Sequence, residues 1–126
     1  MRNMATLAGN VLQRTRCHYF RDRQCAACNK RETGSGCAVL ECRNRRLAVL
    51  GTSERCIANY SGDFAIALVT LRAEVTVRGT DGSERTLPFE NLHRPSGDAP
   101  HIETTLAPGD LITGCRPGRG PAARPT

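Results

Sequence analysis

A chain of 126 residues, 39% apolar and 4% aromatic with no Trp, is long enough for one domain with a modest core and too poor in large side chains for a self-sufficient one. Its formal charge of +6 is unevenly placed: 11 Lys and Arg against 4 Asp and Glu lie at or before Cys56, and 7 against 8 follow. No apolar run has the length of a bilayer span, and MRNMATLAGNVLQRTR lacks both an apolar h-region and a cleavage pattern, so membrane insertion and a secretory signal are not expected.

In chain order, residues 4–13 read as a turn entering a short helix, with Thr6 and Gly9-Asn10 suited to a tight backbone passage and Val11-Leu12 starting an apolar face. Roughly forty residues without periodicity follow, from Cys17 to Cys56, and a loop of that length needs an anchor. Ser61 suits a helix N-cap, Asp63 complements the dipole in the first turn, and Phe64, Ala67, Leu68 and Leu71 mark one face of an amphipathic helix over 62–71. Glu74–Arg78 alternates as a strand, Thr80–Ser83 turns, and Arg85–Phe89 returns as the second arm of a hairpin. Pro88 puts that arm at a sheet edge. Further strands are expected at His101–Leu106 and Leu111–Thr113. From Gly114 the composition changes to CRPGRGPAARPT, which reads as a disordered, aberrant tail over 114–126.

Six of the seven cysteines fall in the loop. Without a secretory signal, thiols in this number point to metal ligation before disulfides, and soft sulfur selects iron–sulfur or zinc. The pairs Cys25-x2-Cys28 and Cys37-x4-Cys42 suit a structural zinc site, because each short spacing can set two sulfurs on one turn. A basic zinc module binding nucleic acid is the function class that follows, although only Tyr19 and Phe20 lie among the early arginines to stack on bases. His18, His93 and His101 have no ligand spacing, and no Walker motif, nucleophile elbow or HExxH occurs. By themselves Gly9-Asn10 is an ordinary turn and Asp63 an ordinary first-turn carboxylate.

Three blocks in order carry a more specific signal. RNMATLAGNVLQRTRC resembles the second flavin-binding segment of the FAD-binding subunits of molybdenum hydroxylases, the xanthine dehydrogenase family. CNKRETGSGCAVLECRNRRLAVLGTSERCIANYSGDFAIAL is similar to the form in bacterial aldehyde oxidoreductases whose flavin subunit carries an extra iron–sulfur cluster, and NLHRPSGDAPHIETTLAPGDLIT continues the match.

The resemblance implies an α+β fold: a partial FAD-binding domain over 1–113 with a cluster-binding loop at 17–56, one amphipathic helix and a β-hairpin. It implies FAD held by Thr6, Ala8, Gly9, Asn10, Ser61 and Asp63, with Ala8 standing where the family has Gly. It implies a [4Fe–4S] cluster on Cys17, Cys28, Cys37 and Cys56, leaving Cys25, Cys42 and Cys115 as extras. Arg14, Arg16, Arg21, Lys30, Arg31 and Arg45 would offset the cluster's negative charge and raise its potential. The partners implied are a large molybdenum-cofactor subunit, where substrate is oxidised, and a small subunit with two [2Fe–2S] clusters; neither nucleic acid nor membrane is among them. The expected role is an oxidoreductase subunit passing electrons to an acceptor, with no catalytic residue of its own. Its expected place is the cytoplasm, or the periplasm if carried out with a partner. The family's first phosphate-binding segment and a C-terminal domain would lie outside 1–126, which reads as a fragment.

Overall fold

The computed structural model describes residues 4–118. It contains the helices α1 (Leu7–Val11), α2 (His18–Arg21) and α3 (Asp63–Thr70), and the strands β1 (Glu74–Arg78), β2 (Glu84–Pro88) and β3 (Leu111–Arg116). Short 3₁₀ turns occupy Ala38–Leu40 and Phe89–Asn91. The chain forms two compact units where composition suggests one core: residues 4–13, 62–93 and 105–118 make the first, and 14–61 with 94–104 the second.

The first unit is a three-stranded antiparallel sheet in the order β2-β1-β3, packed with α1 and α3. Central β1 alternates as the sequence suggests, with Val75 and Val77 buried. β2 pairs Glu74 with Pro88 and Arg78 with Glu84, so Pro88 closes an edge strand where its missing N–H costs nothing. β3 pairs β1 on the other side with a register shift between Thr76 and Val77, which leaves Thr113 as the extra residue. Val11, Ala65, Leu68, Ala73, Phe89 and Leu92 complete this core.

Several expectations need correction. β3 runs through Gly114, Cys115 and Arg116, because these residues satisfy the open edge of β1. The chain therefore stays ordered past the expected boundary at 114, and Gly118 N–H donates to the Leu71 carbonyl at 3.0 Å. The rest of the expected tail, from 119, lies outside the described residues. Residues 101–106 form no strand: Glu103 O accepts from Arg94 N–H and Thr105 N–H donates to Leu92 O, so this backbone is engaged by the preceding segment and not by the sheet. Gly62, not Ser61, is the N-cap of α3, and it makes no side-chain cap bond. Gly9 and Asn10 lie within α1, not before it.

The face of α3 is also rotated. Ala65 and Leu68 are buried, while Phe64, Ile66, Val69 and Leu71 are exposed. The segment FAIALV is apolar nearly all round, so periodicity could not select which stripe meets the sheet.

Helix α3 ends in a Schellman motif: Arg72 N–H bonds the Val69 carbonyl at 2.9 Å and Ala73 N–H bonds Leu68 at 2.8 Å. That geometry holds Arg72 at φ 48°, where glycine is normally found. Arg72→Gly is therefore expected to stabilise the chain by about 0.5–1 kcal/mol, read as a higher urea midpoint at unchanged m-value.

Candidate functional site

The second unit is built around the thiols. Cys28 and Cys37 form a single antiparallel bridge pair, flanked by Asn29 N–H to Gly36 O at 2.8 Å and Ala38 N–H to Ala27 O at 3.0 Å. Between them NKRETGSG turns back on itself, with Gly34 at φ 86° and Gly36 at φ 93°, a backbone region that side chains avoid. Buried Asn29 holds the turn: its Oδ1 accepts from Gly34 and Gly36 at 3.2 and 3.0 Å, and its Nδ2 donates to Arg55 O at 2.9 Å. Ser35 Oγ accepts from Cys28 N–H at 3.0 Å. Arg31 reaches across to the Asp22 and Cys25 carbonyls.

Cys56 sits on a tight turn, exchanging backbone hydrogen bonds with Ser53 at 3.0 and 3.1 Å. Cys17 stands at the start of α2, its N–H bonded to buried Thr15 Oγ1 at 3.2 Å. Cys17, Cys56, Val39 and Ala58 form one buried cluster, with Cys37, Tyr19, Phe20, Leu47 and Ile57 packed against it. Burial pushes the Cys56 thiol up; the Ala58 N–H at 3.5 Å and the charge of Lys30 oppose this, while Cys37 and Cys28 reinforce it. Cys56 is thus electrostatically coupled to Cys28 and Cys37 and shares a core with Cys17.

Cys25 and Cys42 belong elsewhere. Both act on the Tyr19 phenol, which desolvation pushes up and which hydrogen-bonds with Cys42 and accepts from Arg43 N–H at 3.3 Å. Cys42, which is exposed, borders an open cleft of about 810 Å³ with His18, Arg43, Asn44, Arg45 and Arg46. All seven cysteines are free thiols.

Among the described residues, no three His, Cys, Asp or Glu side chains converge tightly enough to hold a metal ion. A tetrahedral zinc ion would need sulfurs about 3.8 Å apart, from Zn–S bonds near 2.3 Å. A cubane cluster, with an iron behind each sulfur, holds its four ligands farther apart. Cys28 pairs with Cys37, and Cys37 packs against the buried cluster that holds Cys17 and Cys56, so these four soft donors share one region.

The residues expected to hold FAD divide differently. Thr6 through Asn10 and Asp63 lie in the first unit, in which α1 packs against α3; Ser61 belongs to the second. Thr6 Oγ1 accepts from Gly9 N–H at 3.0 Å and caps α1. A Cβ at Gly9 would stand 3.0 Å from that oxygen, so glycine there leaves room for the cap. With Gly9 engaged, the earlier amides of α1 keep no partner within the helix. Ala8 borders a small cavity of about 90 Å³ with Leu7, Val11, Val75 and four β3 residues, so its extra methyl has space. Thr6, Gly9, Asn10 and Asp63 are exposed, leaving a small-residue surface that an anionic group can approach.

Sequence reasoning placed Lys30 among six cations and missed its burial. Lys30 has a side chain only 5% exposed, and its Nζ donates to Pro100 O at 3.2 Å and Glu103 Oε1 at 2.9 Å. Glu103 also pairs with Arg14, which lies over the Phe20 ring. No local signal gives this away, since the partners are some seventy residues distant.

The class of the chain is known: residues 1–116 match the FAD-binding domain of molybdopterin dehydrogenases, and the chain is a member of that family. Among individual proteins, it is 50% identical over 112 residues to the aldehyde oxidoreductase FAD-binding subunit PaoB of Escherichia coli strain K12. That stretch is 89% of this chain and 35% of PaoB, so the chain spans about a third of its relative.

Exposure ranks the thiols. In metal-free protein, mass mapping should find Cys42 alkylated first by iodoacetamide, and Cys17, Cys28 and Cys56 only on unfolding. The raised Cys56 thiol gives a pH dependence as well. Its contribution to stability is complete below the unfolded thiol pKa of about 8.5 and is lost as pH rises toward the higher folded value. The thermal midpoint of metal-free protein should therefore fall above about pH 8.5; a midpoint that climbs there contradicts the assignment.

Proposed function

We propose that this chain is the electron-transfer portion of a molybdenum-dependent oxidoreductase of the aldehyde oxidoreductase type, binding FAD and a [4Fe–4S] cluster. The observation that carries the reading is its 50% identity to an aldehyde oxidoreductase FAD-binding subunit across 89% of its length. Flavin supplies one- and two-electron exchange and the cluster one-electron exchange; placement and electrostatics belong to the protein.

On this reading Thr6 fixes the start of α1, Ala8 and Gly9 keep its approach open to the diphosphate, and Asn10, Ser61 and Asp63 offer polar groups to the cofactor. Cys17, Cys28, Cys37 and Cys56 ligate the cluster. Support comes from the Cys28–Cys37 pairing, from the shared core of Cys17 and Cys56, and from the coupling of Cys56 to Cys28 and Cys37. The Ala58 N–H on Cys56 Sγ is the type of hydrogen bond that steadies a ligating sulfur. Electrons arrive from a [2Fe–2S] small subunit, after substrate oxidation on a molybdenum-cofactor large subunit, and leave through flavin to an acceptor. The complex resides in the cytoplasm, or in the periplasm if a partner carries this chain across.

The test is iron, sulfide, zinc and flavin analysis of anaerobically purified protein with its absorption spectrum. Brown, iron- and sulfide-containing flavoprotein is expected; colourless zinc protein would overturn the reading. Cys28→Ser should abolish the cluster and Cys25→Ser should leave it, because Cys25 sits with Tyr19 and Cys42. Equal iron loss in both would reject the ligand set.

A further inference from the structure

A buried lysine is uncommon, and one this far from solvent needs both partners and a reason. Lys30 lies two residues beyond Cys28, immediately after the Asn29 staple, where the turn carries its side chain inward. Its ammonium is held by the Pro100 carbonyl and by Glu103, whose other oxygen takes Arg14. Arg14 also donates to the Lys30 carbonyl at 3.3 Å. The three side chains therefore form one network with two positive charges and one negative.

Six basic residues are near enough in sequence to balance a cluster, but they are not equivalent. Arg16, Arg21, Arg31 and Arg45 are exposed, and water and salt screen them. Arg14 is half-exposed, with 47% of its side chain open. Lys30 alone of the six is withdrawn from solvent, where a charge acts over distance with least screening. It also stands two residues beyond Cys28, inside the turn that the Cys28–Cys37 pair closes.

We propose that Lys30 and Glu103 are an opposed pair of positioning charges that set the electron affinity of the four-thiol centre, Lys30 favouring the reduced cluster and Glu103 limiting that effect. The inference rests on the cluster reading above. Reduction adds one electron, supplied by the partner's [2Fe–2S] clusters, and one negative charge to the centre. A fixed cation nearby stabilises the product more than the reactant, and a fixed anion does the reverse. Neither side chain gains or loses a proton in this scheme.

The test is a redox titration of the anaerobically purified protein followed by electron paramagnetic resonance, with iron and acid-labile sulfide per chain measured for every variant. Lys30→Gln keeps a donor for Pro100 but removes the charge. It should make cluster reduction at least tenfold less favourable, a 59 mV fall for a one-electron couple. Glu103→Gln should move the potential upward, and Lys30→Arg should stay within threefold of the parent equilibrium. A merely structural network would loosen in both neutral variants without driving the potential in opposite directions. Unmoved potentials, or shifts of the same sign with iron content intact, would overturn the proposal. Should Lys30→Gln lose its iron, the upward shift in Glu103→Gln decides alone. Parent protein devoid of iron and sulfide would remove the cluster reading, and this inference with it.

Discussion

The pairing of Cys28 with Cys37 is the constraint on which the second unit depends. It closes residues 28–37 into a turn whose buried polar side chains, Asn29 and Lys30, are hydrogen-bonded. Asn29 does most of the closing, its buried amide using both ends on three backbone groups, the N–H of Gly34 and of Gly36 and the carbonyl of Arg55. A loop held by hydrogen bonds to its own backbone can place thiols in register without a large hydrophobic core. Val39 and Ala58 then need only cover one side of the cysteines.

The first unit uses the opposite strategy. Its sheet is stabilised by Val75 and Val77 on the central strand, with Leu68, Phe89 and Leu92 around them, and the polar work is confined to caps and turns. Thr6 caps α1, and the Leu68 and Val69 carbonyls close α3 at the cost of a left-handed Arg72. Six of the seven thiols sit in the hydrogen-bonded unit, and Cys115 lies on β3 in the apolar one.

What could be read from the sequence follows the range of the interactions. The hairpin of Glu74–Arg78 and Glu84–Pro88, its edge position, and the existence of α3 depend on neighbours within about ten residues, and these were legible. Spacing alone left zinc and iron–sulfur both open, with Cys25 and Cys42 eligible as ligands, and it gave no sign that these two share the neighbourhood of Tyr19. Long-range choices were not legible. Which stripe of α3 meets the sheet depends on what β1 presents, and apolar residues all round leave that open. The continuation of β3 through Cys115 depends on an unfilled edge, which outweighs a composition rich in glycine and arginine. His101–Leu106 alternates like a strand, yet its backbone bonds to Leu92 and Arg94, partners that alternation does not name.

The second unit is discontinuous: residues 94–104 join a body whose main part ends at 61. During synthesis Cys56 leaves the ribosome about 47 residues before Glu103. At 5–20 residues per second that is a gap of roughly 2–9 s. Throughout it Lys30 lacks its carboxylate partner, and the body around the thiols is still missing its last segment. The order of translation thus leaves these cysteines open to solvent for that interval, and the segment that completes the unit arrives afterwards.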